Sequence, residues 1–364
     1  MSVAHFIIVG RQEAEMKKTA TIWLDQCIPG MRIAETVTNR FLATVVNEGA
    51  ILDARIIDKL KHLNYQKLRV YVDSDPEIDS NSFEVVKKEY AENILAMKSV
   101  LLDISAGKNL DMPTIAKVST TIYERRADFI GVLSCLNQVR DSDEYTYSHC
   151  LNVAFICLFI SKWLNYNADV MSSVLQAGLL HDVGKCRIPS DILNKPASLS
   201  DEEFEHMKKH TIYGYRMLEG ISDIQPSTAL AALEHHEKVN GGGYPLGIKS
   251  EKIHLYGKIT AVADIYDAMT SNRVYHKKSS PFQVFNILEE HLYKGCLDPV
   301  IVVSFLRNLA GYYVGDRVKL SDDREGYVVF INPRSISKPI VQIDGDIVNL
   351  EDGRHKGLYI SEML

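Results

Sequence analysis

The sequence predicts a mainly α-helical protein, with a small α+β unit ahead of the helices and a short β-rich appendage behind them. Three observations carry this. From Ser82 to Ala310 apolar residues recur at helical spacing, interrupted at Asp111-Met112-Pro113, at Pro189–Ser200 and at the Gly-rich Gly241–Gly243. Ahead of that stretch, short alternating segments flank one amphipathic run. After Ala310 the alternation returns.

Thr21–Leu24, Met31–Thr36 and Lys67–Val72 have strand character, and Pro29-Gly30 signals a turn. Ala54–Leu63 predicts a helix, because Ile56, Ile57, Leu60 and Leu63 fall on one side. Asp73–Ser82, rich in Asp and Ser, reads as a connection. Behind the helices, Arg317–Leu320, Gly326–Ile331, Ile340–Ile343 and Ile347–Leu350 read as strands, with turns at Asp322-Asp323 and Asp344-Gly345. The expected domains are 1–76 (N-terminal α+β unit), 77–119 (helical linker), 120–310 (main helical domain) and 311–364 (β-rich appendage). The N-terminal unit is too short in βα pattern for a phosphoacceptor receiver domain and is expected to serve regulation or interaction. Residues 85–130 are amphipathic and suit coupling of that unit to the main domain, or a homodimer seam.

Composition narrows the function classes. Among 364 residues 46% are hydrophobic and 24% charged, as in an ordinary soluble globular protein. The net charge of −6 argues against a binder of nucleic-acid polymers, which usually carries a basic excess. Six cysteines (Cys27, Cys135, Cys150, Cys157, Cys186, Cys296) form no CxxC pair and read as reduced thiols of a cytoplasmic protein. No run reaches transmembrane length, and Val3–Val9 is too short for a secretory signal. Met16, followed by Lys17-Lys18, is a candidate alternative start.

Chemistry concentrates in seven side chains: His149, His181, Asp182, His210, His235, His236 and Asp264. Five imidazoles and two carboxylates suffice for two divalent metals, a standard device for attacking phosphate esters. Neighbours on a helix diverge by about 100°, so His181 and Asp182 can serve different metals, and only the carboxylate has two oxygens with which to bridge. Asp264 lies within an apolar helix (Ile259, Val262, Ile265, Met269) and needs a partner. Lys185, one turn after His181, suits a phosphate oxygen. Asp267 is expected to orient a partner rather than bind metal. His206 and Lys208-Lys209 read as solvated positions.

The strings His181-Asp182-Val183-Gly184-Lys185 and His235-His236-Glu237-Lys238-Val239-Asn240-Gly241-Gly242-Gly243-Tyr244-Pro245 resemble the two motifs of the HD-GYP family of phosphohydrolases. Tyr145–His149, Lys195-Pro196 with Leu199, and Asp264–Arg273 resemble its flanking motifs, over roughly residues 120–310. The resemblance implies an HD-type all-helical metal phosphohydrolase domain. One metal would be held by His149, His181, Asp182 and Asp264, the other by Asp182, His210, His235 and His236. Iron or manganese is the implied metal. Tyr145 stands where some members place a Glu for a third ion, so two are expected. Asn240 replaces the usual Asp, Lys238 a common Arg, and Val274 and His276 the Pro and basic residue after Arg273.

The implied activity is cleavage of cyclic di-GMP, a 3′–5′ phosphodiester, to linear pGpG and further to GMP, by a metal-bridging hydroxide. Asp182 and Lys185 would be catalytic. Lys185, Arg273, Gly243, Tyr244, Pro245 and Lys277 would contact substrate, with packing an equal role for Tyr244. Alternatives are a phosphodiesterase for another cyclic dinucleotide, such as cyclic GMP-AMP, and a non-catalytic sensor passing its signal to a protein partner. The intact ligand set argues against the sensor. No membrane association is expected.

Overall fold

Several helix starts among the described residues follow capping side chains. The side chain of Asp53 accepts from Ile56 N and opens α1 (Ala54–His62). The computed structural model describes residues 19–71, 83–139, 145–271 and 279–364, which fall into two compact units. The smaller comprises the chain up to Thr38 together with Val46–Asp79, and the larger Asn39–Val45 together with Ser80–Leu364. The alternative start at Met16 and the whole Asp73–Ser82 connection lie outside the described residues.

In the smaller unit, β1 (Thr19–Trp23) pairs antiparallel with the later strand Lys67–Tyr71, in the register Thr19↔Tyr71 to Trp23↔Lys67. Helix α1 buries Ile56, Ile57 and Leu60, three of the four residues that predict it. The expected strand at Met31–Thr36 is reduced to single bridges, Arg32↔Ile51 and Ile33↔Val70. The short strand β2 (Val37–Thr38) comes after it, β3 (Thr44–Val46) begins in the Asn39–Val45 segment of the larger unit, and the partner of β1 is β4 (Lys67–Tyr71).

The larger unit begins with α2 (Phe83–Ser105) and α3 (Met112–Glu124). Asp111 caps α3 by accepting from Thr114 N, and Pro113 occupies its first turn, which explains the break read at Asp111-Met112-Pro113. Next come α4 (Phe129–Val139), α5 (Tyr145–Trp163) and α6 (Ala168–Leu180). A 3-10 turn at Val183–Arg187 and a single turn, α7 (Ser190–Leu193), lead to α8 (Asp201–Leu218). There Ser200 and Glu203 form a reciprocal capping box. Helices α9 (Pro226–Glu234), α10 (Leu255–Thr270), α11 (Pro281–Tyr293) and α12 (Pro299–Tyr312) complete the helical part. Five strands close the chain: β5 (Arg317–Leu320), β6 (Glu325–Asn332), β7 (Ser335–Ile343), β8 (Asp346–Asn349) and β9 (Ile360–Met363). They form one antiparallel sheet in the order β8-β7-β6-β5-β9.

The centre of the larger unit is α5, buried at every position from Cys150 to Ser161. Such a helix must be covered all round. One apolar cluster covers it with α2, α3, α4 and α6, through Tyr90, Met97, Ile115 and Leu175. The other joins α10, α11 and α12 to the sheet, through Ile259, Phe285, Phe305 and Val341. Residues 83–124 thus belong to the same core as the central helix. No helix among the described residues is long and apolar enough to cross a membrane.

Candidate metal centre

Five helical segments deliver the seven side chains to one place. His149 sits in the first turns of α5, and His181 caps the C-terminus of α6, with Asp182 next to it. His210 projects from α8, His235 ends α9 with His236 after it, and Asp264 lies in α10. His149, His181, Asp182, His210 and His235 are buried, and His236 and Asp264 are half-buried.

Asp182 is the hub. Its Oδ2 lies 3.5 Å from His149 Nε2 and 3.3 Å from His181 Nε2, while its Oδ1 lies 3.4 Å from His210 Nε2 and 3.8 Å from His235 Nε2. Asp264 Oδ1 approaches His149 Nε2 at 3.2 Å and His181 Nε2 at 4.0 Å, and its Oδ2 approaches His236 Nδ1 at 4.0 Å. The ligand atoms of His149, His181 and Asp182 lie within 4.8 Å of one another, as do those of His210, His235 and His236. All seven predicted ligand residues are therefore brought together.

The imidazoles are oriented from behind. His149 Nδ1–H donates to Asp267 Oδ2 at 2.8 Å, His181 to Gly178 O at 2.8 Å and His210 to Met207 O at 2.7 Å. His235 Nδ1 lies 3.1 Å from Ala232 O. These partners only accept, so each Nδ1 carries the proton and each Nε2 turns a lone pair inward. Burial pushes His235 well below its ordinary value and His236 down to about 3, with neighbouring imidazoles adding to the effect on both. Burial opposes ionisation of Asp182, yet Lys185, His181 and His149 overcome it and hold the carboxyl well below its usual range. Neutral imidazoles and ionised carboxylates are the forms that ligate divalent metals.

Two buried atoms here lack a hydrogen-bond partner: His181 Nε2 and Asp182 Oδ1. Polar atoms are seldom left so in a native core, and both belong to the converging set. The residues fit a divalent metal centre.

Residues 133–301 match the HD domain family. The chain is 33% identical over 251 residues to a cyclic di-GMP phosphodiesterase of Pseudomonas aeruginosa, covering 68% of this chain and 59% of that one. It is 35% identical over 198 residues to a cyclic di-GMP phosphodiesterase of Thermotoga maritima, covering 53% of each chain. The helical region belongs to the HD-GYP family. Its fold resembles that of an HDG"Y"P protein from Bdellovibrio bacteriovorus, with a TM-score of 0.52 at 14% identity, covering 80% of this chain and 99% of that one. A 3′3′-cGAMP-specific phosphodiesterase of Vibrio cholerae is 31% identical over 202 residues, covering 54% of this chain and 46% of that one. The chain spans about half the length of these curated relatives.

The HD-GYP loop packs directly on the centre. The Tyr244 ring lies 4.7 Å from that of His236 and 6.2 Å from Phe204, centroid to centroid. Gly243 is required by close approach, because a Cβ there would meet Lys238 N at 2.3 Å and His236 O at 2.5 Å. Pro245 comes next in the same turn. Lys185 Nζ is 2.5 Å from Asp182 Oδ2 and only part-buried. Arg273 and Lys277 lie outside the described residues. Asn240 accepts from Gly242 N at 3.0 Å and donates to Lys294 O at 3.3 Å. The second bond needs an N–H, which the family's usual Asp does not have.

Sequence reasoning missed two residues here. Lys209 is solvated as expected, but Lys208 is half-buried, its Nζ 5.5 Å from the Tyr244 ring centre and 2.5 Å from Glu205. Helical spacing from Phe204, four residues earlier, was the available signal. Glu237 is buried, and its carboxylate accepts from Leu246 N, Gly247 N and Ile248 N at 2.6, 3.0 and 3.2 Å. It ties the HD-GYP loop to the residue after His236. Replacing it by Gln leaves one acceptor oxygen where three donors converge. Glu237→Gln is expected to weaken the loop by about 1.5–3 kcal/mol, the range for charge-assisted bonds. Amide exchange at residues 246–248 should accelerate while that of α5 stays unchanged.

Proposed function

We propose that this protein is a metal-dependent phosphodiesterase that opens cyclic di-GMP at one 3′–5′ bond to give linear pGpG. The observation that carries this reading is the placement of Asp182, one oxygen toward His149 and His181 and the other toward His210 and His235. That arrangement suits two divalent ions sharing a carboxylate, with Asp264 completing the first set and His236 the second. Iron or manganese fits imidazole and carboxylate ligands. The chemistry supplied by such a pair is Lewis-acid activation of water and neutralisation of phosphate charge.

The chain's own residues do the rest. Four of the five imidazoles are held in one tautomer from behind, so the ligand set is pre-organised before metal arrives. Lys185 brings a cation to the edge of the centre, where it can stabilise a phosphate oxygen as charge develops. Gly243, Tyr244 and Pro245 form a wall beside it, and Arg273 and Lys277 come after α10 in sequence as further substrate cations. Asp182 and Lys185 are the two residues assigned to catalysis.

The smaller unit is assigned an interaction role with a protein partner, in keeping with its exposed Trp23 and Ile28. A homodimer is assigned to the α2 face that exposes Leu95 and Leu102, which repeat at helical spacing. The six free cysteines accord with a cytoplasmic protein.

The test is cleavage of cyclic di-GMP by protein loaded anaerobically with Fe(II) or Mn(II), with 3′3′-cGAMP in parallel. Metal-dependent appearance of pGpG, lost in a His181→Ala/Asp182→Ala variant, is expected. Protein that holds two metals and cleaves neither dinucleotide would overturn the phosphodiesterase reading. Preference for cGAMP would overturn only the choice of base.

A further inference from the structure

A line of buried hydrogen bonds runs from α2 to a metal-ligand histidine. Tyr90 Oη donates to Asn152 Oδ1 at 2.6 Å, and Asn152 Nδ2 donates to Asp267 Oδ1 at 2.8 Å. Asp267 Oδ2 accepts from His149 Nδ1–H at 2.8 Å. All four residues are buried: Tyr90 is 3% exposed, Asn152 1%, Asp267 0% and His149 3%. Neither sequence motif nor family resemblance points to Tyr90 or Asn152.

The line has a direction. An amide offers an oxygen at one end and N–H donors at the other, and it satisfies Asp267 only with its donors turned that way. The Tyr90 hydroxyl, donating to the opposite end, selects that orientation. Asp267 then has a fixed donor on Oδ1, shared with Ser271 Oγ at 3.2 Å, and its Oδ2 stays aimed at His149. That contact keeps the His149 proton on Nδ1 and its Nε2 lone pair toward Asp182 and Asp264.

Helix α2 is itself firmly seated at this point. Glu89, next to Tyr90, takes Arg125 Nε and Nη2 at 2.8 and 2.6 Å, and Arg125 is buried. Near its other end α2 meets the turn just after Asp182, where Cys186 Sγ donates to Leu101 O.

We infer that Tyr90 is a positioning residue for the metal centre, acting through Asn152 and Asp267 on His149, so that the seating of α2 governs how tightly metal is held. This rests on the ligand assignment proposed above. In α2 the chain has just left its N-terminal unit, and the line gives this first helix of the larger unit a direct bearing on the metal centre.

The experiment is a Mn(II) titration of the full chain, read as the dissociation constant of each site, for wild type, Tyr90→Phe, Asn152→Ala, the double variant and Ser161→Ala. Tyr90→Phe removes only the hydroxyl and keeps the ring stacked on Phe155. Ser161→Ala removes a buried hydroxyl from α5 far along the helix from His149, and reports general loosening. Tyr90→Phe is expected to weaken one of two sites by about 3–10-fold, below the 10–100-fold usual for groups in direct contact with a ligand. It should add nothing in the Asn152→Ala background, and Ser161→Ala should bind as wild type. Wild-type affinity in Tyr90→Phe, an equal loss in Ser161→Ala, or a full further loss on top of Asn152→Ala would each overturn the inference. If Asn152→Ala fails to fold, Tyr90→Phe against Ser161→Ala decides alone. Wild-type protein that takes up no Mn(II) would instead sink the metal reading, and this inference with it.

Discussion

Replacing Asp182 by Ala is expected to remove metal from both halves of the centre at once and to lower phosphodiester cleavage by far more than a hundredfold. Loss of a group that merely supports a ligand costs 10–100-fold, and Asp182 faces four imidazoles with its two oxygens. The fold should survive, because α5, α6 and α10 are held by apolar clusters in which Asp182 takes no part. The deciding comparison is metal-induced stabilisation. At a free metal concentration a hundred times Kd, binding to the native state adds about 2.7 kcal/mol. Wild type should show the corresponding rise in Tm and the variant none. His206→Ala, a half-buried helix position outside the cluster, should behave as wild type. A variant at position 182 that still gained stability from metal would rule out a carboxylate shared by two ions.

The second large effect concerns packing. Gly184 lies where the turn after Asp182 crosses α8, and a Cβ there would sit 2.0 Å from His210 O and 2.4 Å from Gly214 N. Both are backbone atoms of a helix, so α8 itself must shift. Gly184→Ala is expected to destabilise by about 3 kcal/mol, the upper part of the usual range for overpacking. The shift would also pull His210 away from His235, whose Nε2 is now 3.3 Å from its own, and weaken metal binding. Gly311→Ala offers the opposite sign: that position in α12 has open space, and Ala is favoured over Gly within a helix by about 1 kcal/mol. Thermal unfolding of the two variants side by side checks both. A neutral Gly184→Ala would mean the crossing is looser than these distances require.

Much of this architecture is legible in the sequence, for identifiable reasons. Helices showed through apolar periodicity and its interruptions, which the structure explains by caps at Asp53, Asp111 and Ser200. The β5 strand matches its predicted bounds, Arg317–Leu320, because turn residues flank it tightly. Other readings erred where tertiary pairing decides. Met31–Thr36 alternates like a strand, yet only Arg32 and Ile33 find bridging partners. Strand β9 was missed, since Ile360–Met363 is short, half polar and defined only by its pairing with β5. Strand β7 begins at Ser335 rather than Ile340, because polar Ser335–Lys338 is recruited by β6 and by Glu289, which accepts from Ile336 N and Ser337 Oγ.

At the centre, the seven ligand candidates were legible as a metal-seeking set, with Asp264 amid apolar residues adding a signal of its own. Their convergence was legible only through the resemblance to the family's motifs. The roles of Glu237, Lys208, Tyr90 and Asn152 were not legible. A glutamate whose acceptors are filled by backbone N–H groups ten residues on looks like any surface charge in the string. A tyrosine at helical spacing among apolar residues reads as core. Their roles exist only as distances between segments far apart along the chain.

The last strand bears on α11 as well. Ser280, the cap of α11, donates its hydroxyl to Ile360 O at 2.6 Å, across eighty residues of chain. Ser280 is also where the chain re-enters α11 directly after the segment containing Arg273 and Lys277. The five-stranded sheet is thus a mooring for the capping residue of α11, through β9. Disturbing β9 therefore loosens the first turn of α11 along with the edge of the sheet.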